Sequence, residues 1–171
     1  GHGIDEIDAA QIVAPGAWTR PIAALALGLL GDRFGISRMA LVCFVLLIIS
    51  HSLFAFTGKA LGTLSMILLN TLVTGIAIFG LRGLYFGLLK EGQIPLAVTG
   101  TAVGLVSVIG YTPDVYIAAV AGYLIDQSPG LAGFQQLFRV LLGFSVLGAI
   151  AAIGFERQAH AASVTAGVKS R

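Results

Sequence analysis

Five long apolar stretches, parted by short polar breaks, make up most of this chain. They run roughly from Ala9 to Gly31, Met39 to Phe56, Leu61 to Leu89, Leu96 to Ile125 and Leu131 to Phe155. About 20 helical residues cross the roughly 30 Å of bilayer hydrocarbon. Each stretch is close to that length or beyond it, so each is a predicted transmembrane helix. The breaks hold residues that end helices: Gly35, Thr57-Gly58-Lys59, Gly92-Gln93-Ile94-Pro95 and Gln127-Ser128-Pro129-Gly130. The pattern predicts an all-α, polytopic membrane helix bundle of about five transmembrane helices over residues 1–156. The polar, small-residue-rich segment 157–171 reads as a disordered tail.

Composition excludes an ordinary soluble domain. Hydrophobic residues make up 57% of the chain and charged residues 11%, against about 25% charged in soluble domains. The mean hydropathy is +0.94. The formal net charge of +2 does not point to nucleic acid, because the charges lie between apolar runs rather than in one patch. Cys43 is the only cysteine and lies in an apolar run, where it reads as a small buried hydrophobe.

The basic residues set an orientation. With the Asp32–Arg38 loop in the cytoplasm, alternation also puts Lys90, Arg157, Lys169 and Arg171 there. Six of the seven Lys and Arg outside the spans then lie inside, and only Lys59 lies outside. This satisfies the positive-inside rule and places the C-terminus in the cytoplasm.

The loop itself reads Gly28-Leu29-Leu30-Gly31-Asp32-Arg33-Phe34-Gly35-Ile36-Ser37-Arg38. Physically it is a tight turn between helix ends, with Gly35 free to take the turn conformation and Asp32, Arg33 and Arg38 at headgroup level. The spacing of Gly28, Asp32, Arg33, Gly35 and Arg38 resembles the loop signature of the major facilitator superfamily of secondary transporters. Further strings are Arg82-Gly83-x-Tyr85-Phe86, Glu91-x-x-Ile94-Pro95, Thr99-Gly100-Thr101-Ala102 and Ile109-Gly110-Tyr111-x-Pro113-Asp114. These are similar to the closing helices of a bacterial branch of that superfamily, the inner-membrane YihN-like proteins. Gly31 and Ser37 depart from the loop pattern, which favours a small or polar residue and a basic residue there. The resemblance implies the second six-helix half of a twelve-helix fold, lacking its first helix. It implies an inner-membrane location, and the N-terminal half of the same transporter as the missing partner.

Four ionisable residues fall well inside spans: Arg20, Arg82, Asp114 and Arg139. Such residues are costly in lipid and by default face a bundle interior or a wet cavity. Arg82 has Phe86 one turn on and Tyr85 beside it, a setting that suits an anionic or sugar-like solute. The resemblance places its span among the cavity-lining helices. Tyr111 precedes Pro113 and could face the same cavity. Asp114 reads either as half of a structural ion pair, with Arg139 or Arg20, or as a proton carrier. Arg139 is assigned to such a pair or a gate, and Lys90 with Glu91 to an interfacial pair or gate. Pro21 predicts a kink in the first span. His51, Asn70, Thr71 and Thr74 read as helix-packing groups. So do the small-residue spacings Gly83-x-x-x-Gly87 and Gly100-x-x-x-Gly104.

These residues point to the C-terminal portion of a secondary active transporter. Three intramembrane Arg against one Asp suggest a small anionic solute, moved by alternating access with a proton or counter-solute as coupling partner. The alternative is a stand-alone five-helix membrane protein with a scaffolding or regulatory role. An enzyme is disfavoured: His2, His51 and His160 are scattered, and no phosphate-loop or metal-ligand motif occurs. No cofactor is called for.

Overall fold

The computed structural model describes residues 16–57, 64–92, 94–128 and 130–169. Among these, all regular structure is helical: α1 (Gly16–Phe34), α2 (Ile36–Phe56), α3 (Leu64–Glu91), α4 (Leu96–Gln127) and α5 (Leu131–Lys169). Four of the five, α2 to α5, are long and apolar enough to cross a membrane, where the sequence predicted five spans. The described part of α1 has 19 residues and carries Arg20, Asp32 and Arg33. The predicted start of that span, 9–15, lies outside the described residues. The fold is a membrane-helical bundle.

A single residue joins α1 to α2. Gly35 has φ +99°, a conformation that L side chains rarely adopt. Its N–H donates to the Gly31 carbonyl at 2.9 Å, and its own carbonyl accepts from Met39 N at 3.1 Å. The turn predicted at Gly35 is therefore present.

The core lies where α1, α2 and α3 meet, around Leu27, Ala40, Cys43, Leu47, Leu81 and Leu84. Cys43 is fully buried there, as a small hydrophobe would be. One glycine lets α1 and α3 touch backbone to backbone: a Cβ on Gly83 would sit 2.7 Å from the Ala24 carbonyl oxygen. Gly87 abuts Ile36 of α2, so this spacing is a packing feature, as predicted. Among the described residues, nothing lies within 4 Å of a Cβ built on Gly100 or Gly104. Gly31, a departure in the loop pattern, leaves room for the Leu84 side chain, whose Cδ2 would lie 2.7 Å from an added Cβ.

Helix α5 lies antiparallel along α2. Phe44 packs on Gly148, His51 Nδ1 lies 3.0 Å from Ser145 Oγ, and Phe54 stacks on Phe138 at 4.6 Å. Between α2 and α3, Asn70 Nδ2 donates to the Ser50 carbonyl at 3.2 Å, and the Ser50 and Thr74 hydroxyls share a hydrogen bond. His51, Asn70 and Thr74 thus join helices, whereas Thr71 bonds back to its own helix at Ile67.

One local expectation changes. The backbone of α5 stays helical to Lys169, where a disordered tail from 157 was predicted. The segment is rich in Ala, and extending an existing helix avoids the costly nucleation step. Both α1 and α4 stay helical through their prolines, Pro21 and Pro113.

Candidate functional site

Helix α4 is attached to the rest by α5 and, more sparsely, by α3. Its apolar window has no buried residue. On its α3 side it brings two residues one turn apart, Tyr111 and Asp114, to Arg82 of α3. Arg82 Nη2 donates to both Asp114 carboxylate oxygens at 2.7 Å. The guanidinium carbon also lies 5.3 Å from the Tyr111 ring centroid and 6.0 Å from that of Phe79. Arg20 of α1 stands 5.0 Å over the same Phe79 ring.

Three helices thus build one cluster of two cations, one carboxylate and two rings. Arg82 lies nine residues before Glu91, the last residue of α3. At 1.5 Å rise per residue that is roughly 13 Å of helix, well inside a span. Both members of the ion pair remain open, with side-chain exposures of 32% for Arg82 and 54% for Asp114. Arg20 is exposed, and among the described residues no carboxylate pairs with it. The cluster carries one positive charge more than it balances internally.

This arrangement revises several sequence assignments. Asp114 pairs with Arg82, not with Arg139 or Arg20. Arg139 lies elsewhere, 5.9 Å from the Phe56 ring where α2 ends. Phe79 was missed, and Phe86 was placed beside Arg82 instead. Long helical side chains lean toward the N-terminus of their helix, so Arg82 reaches back over Phe79 and leaves Phe86 facing outward. Tyr85 is half-buried against Gly110 of α4, whose added Cβ would lie 3.2 Å from the ring. It also borders an apolar cavity of about 300 Å³ between α2, α3 and α5, lined by Phe44, Leu88, Ala151 and Phe155.

The residues of the α1–α2 loop fall at the opposite end of α3 from its start. Lys90 and Glu91 do not pair with each other. The Glu91 carboxylate accepts from Ser37 N at 2.8 Å and from Ser37 Oγ at 2.7 Å. Ser37 is the second residue of α2, and Gly35 at the N-cap has no side chain to give. Glu91 therefore satisfies a free N–H of another helix and places negative charge at its positive end. This accounts for Ser37, the second departure in the loop pattern. Arg38 Nε donates to Glu156 Oε1 of α5 at 3.1 Å, a partner the sequence did not indicate. Arg33 leans on Phe34, 5.5 Å from the ring. Asp32 is exposed, and an added Cβ on Gly28 would meet nothing within 4 Å.

Comparison with known proteins gives two related sequences in Escherichia coli (strain K12). The chain is 32% identical over 83 residues to the inner membrane protein YihN, a match that covers 48% of this chain and 20% of that protein. It is 32% identical over 84 residues to the inner membrane protein YqcE, covering 49% and 19% respectively. The matched part is thus about a fifth of each curated relative. No family model matches the chain, and no solved structure matches it.

Proposed function

We propose that this chain is the C-terminal portion of an inner-membrane secondary transporter of the major facilitator type. It carries a small anionic solute by alternating access, with its C-terminus in the cytoplasm. The observation that carries this reading is the Arg20–Phe79–Arg82–Tyr111–Asp114 cluster inside the membrane-spanning region. A cation in a span needs a counter-charge. Arg82 has one in Asp114, and Arg20 has none among the described residues. An incoming anion supplies it, with Phe79 and Tyr111 as flanking rings. The cluster sits on the face that α4 leaves open, where the N-terminal helices of the complete transporter would form the opposite wall. The two similar proteins, both inner membrane proteins, support the location.

Asp114 has a second part in this reading. An anion arriving at Arg20 competes with Asp114 for the neighbouring Arg82, and a proton on Asp114 would release Arg82 altogether. Either event changes the tie between α3 and α4. That is what a carrier needs in order to couple occupancy to movement.

The test is uptake by cells expressing the complete protein, over a panel of radiolabelled carboxylates, phosphate esters and neutral sugars. At least one anion should accumulate, and Arg20→Gln should abolish that accumulation while leaving the amount of protein in the membrane unchanged. If Arg20→Gln and Arg82→Gln leave uptake of every anion intact, the reading fails. A stand-alone scaffolding role would then be the better account.

A further inference from the structure

We infer that Arg139 and Phe56 form a phospholipid site at the end of the bundle away from the α1–α2 turn, taking the lipid's phosphate group. Phe56 is the last residue of α2 and is 68% exposed. Arg139 lies eight residues into α5, roughly 12 Å along the helix. At that depth an arginine would face hydrocarbon. Its side chain instead follows the usual lean toward the helix N-terminus, and its guanidinium carbon stands 5.9 Å from the Phe56 ring. The charge is thereby brought level with the end of α2, where the bundle meets the headgroup region. This is how long basic side chains escape the membrane interior.

The guanidinium remains uncompensated there. Arg139 is exposed, and among the described residues neither ion pair includes it. It faces the α2–α5 side, where Phe54 and Phe138 stack at 4.6 Å next to the pair. These rings give acyl chains an apolar bed, and the planar guanidinium fits phosphate oxygens. The cluster at Arg82 is built by α1, α3 and α4, so this site does not depend on the transport reading.

The test is native mass spectrometry of the whole chain in neutral detergent. It is titrated with dioleoylphosphatidylglycerol, with dioleoylglycerol (the same tails without phosphate), or with inorganic phosphate as competitor. The wild type should retain phosphatidylglycerol over dioleoylglycerol. Arg139→Gln should lower phosphatidylglycerol retention by about fivefold, the effect of one basic residue at an anionic surface, and leave dioleoylglycerol retention unchanged. Arg38→Gln, at the other end of the bundle, should retain phosphatidylglycerol like the wild type. Equal retention by the wild type and Arg139→Gln overturns the proposal. So does displacement by inorganic phosphate at matched concentration, which would make the ligand a free anion. If Arg139→Gln does not stay folded, the wild-type comparison decides alone: equal retention of the two lipids overturns the site.

Discussion

Helices α2 and α4 are both long and apolar, yet the bundle treats them in opposite ways. Helix α2 is packed by α1, α3 and α5, and a third of its apolar window is buried. Its buried polar residues all bond to neighbouring helices: Ser37 to Glu91, Ser50 to Asn70 and Thr74, His51 to Ser145. Helix α4 buries none of its apolar window. Its one charged tie, Asp114 to Arg82, faces outward. The difference shows that polar residues in these helices have two separate uses. In α2 they fix neighbours at set distances with satisfied hydrogen bonds. In α4 they are held at an open face, where a partner group can still reach them.

The largest effect should come from the glycines that separate the two regimes. Gly83→Val places a Cβ 2.7 Å from the Ala24 carbonyl, and backbone cannot step aside as a flexible side chain can. Overpacking of this kind costs about 1–3 kcal/mol or more. Gly104→Val on α4 meets nothing within 4 Å and should leave stability unchanged. Thermal unfolding of the two variants in the same detergent checks this. Equal loss in both would mean that α4 is packed as closely as the α1–α3 core against which α2 lies, and the contrast would collapse.

Next in size is the link at the turn end. Glu91→Ala removes two charge-assisted bonds and leaves the buried Ser37 hydroxyl and N–H without an acceptor. An unsatisfied buried donor costs about 1–3 kcal/mol. The loss should be largely shared with Ser37→Ala, so the double variant should fall well short of the sum. Additive losses would show that Glu91 acts through something other than α2.

The helices themselves were legible in the sequence because apolar runs of about 20 residues broken by Gly and Pro have few other readings. The turn at Gly35 and the packing use of Gly83, His51 and Asn70 were legible for similar local reasons. Partner choice was not. Spacing fixes where a residue lies along its own helix, but the rotation of one helix against another comes from packing. Asp114 was therefore matched with Arg139 or Arg20 when α4 in fact turns it toward Arg82. Glu91 was matched with its chain neighbour Lys90, although adjacent residues on a helix do not face each other. That rule, and the backward lean of long side chains that brings Arg82 onto Phe79, are both legible from sequence. The partnership of Arg38 with Glu156 spans 118 positions, and no local pattern announces it.

The smallest effect on stability, and the one that most sharpens the contrast, should come from Asp114→Asn. The pair it breaks is open on both sides, and an exposed ion pair contributes about 0–1 kcal/mol. Unfolding should therefore shift far less than in Glu91→Ala, although both variants remove the carboxylate of a charged hydrogen-bonded pair. Its consequence for ligands should run the other way. With Asp114 neutral, Arg82 is freed beside Arg20, and the cluster presents two unpaired cations around Phe79. If the proposed transport reading holds, anion affinity should rise, while uptake should fall because the competition that reopens the α3–α4 tie is gone. Binding and uptake measured on the same membranes separate the two terms. If Asp114→Asn unfolds the bundle as Glu91→Ala does, Asp114 is a structural strut like the polar residues of α2. If stability holds and anion affinity rises while uptake falls, the open face of α4 is where the protein handles its cargo.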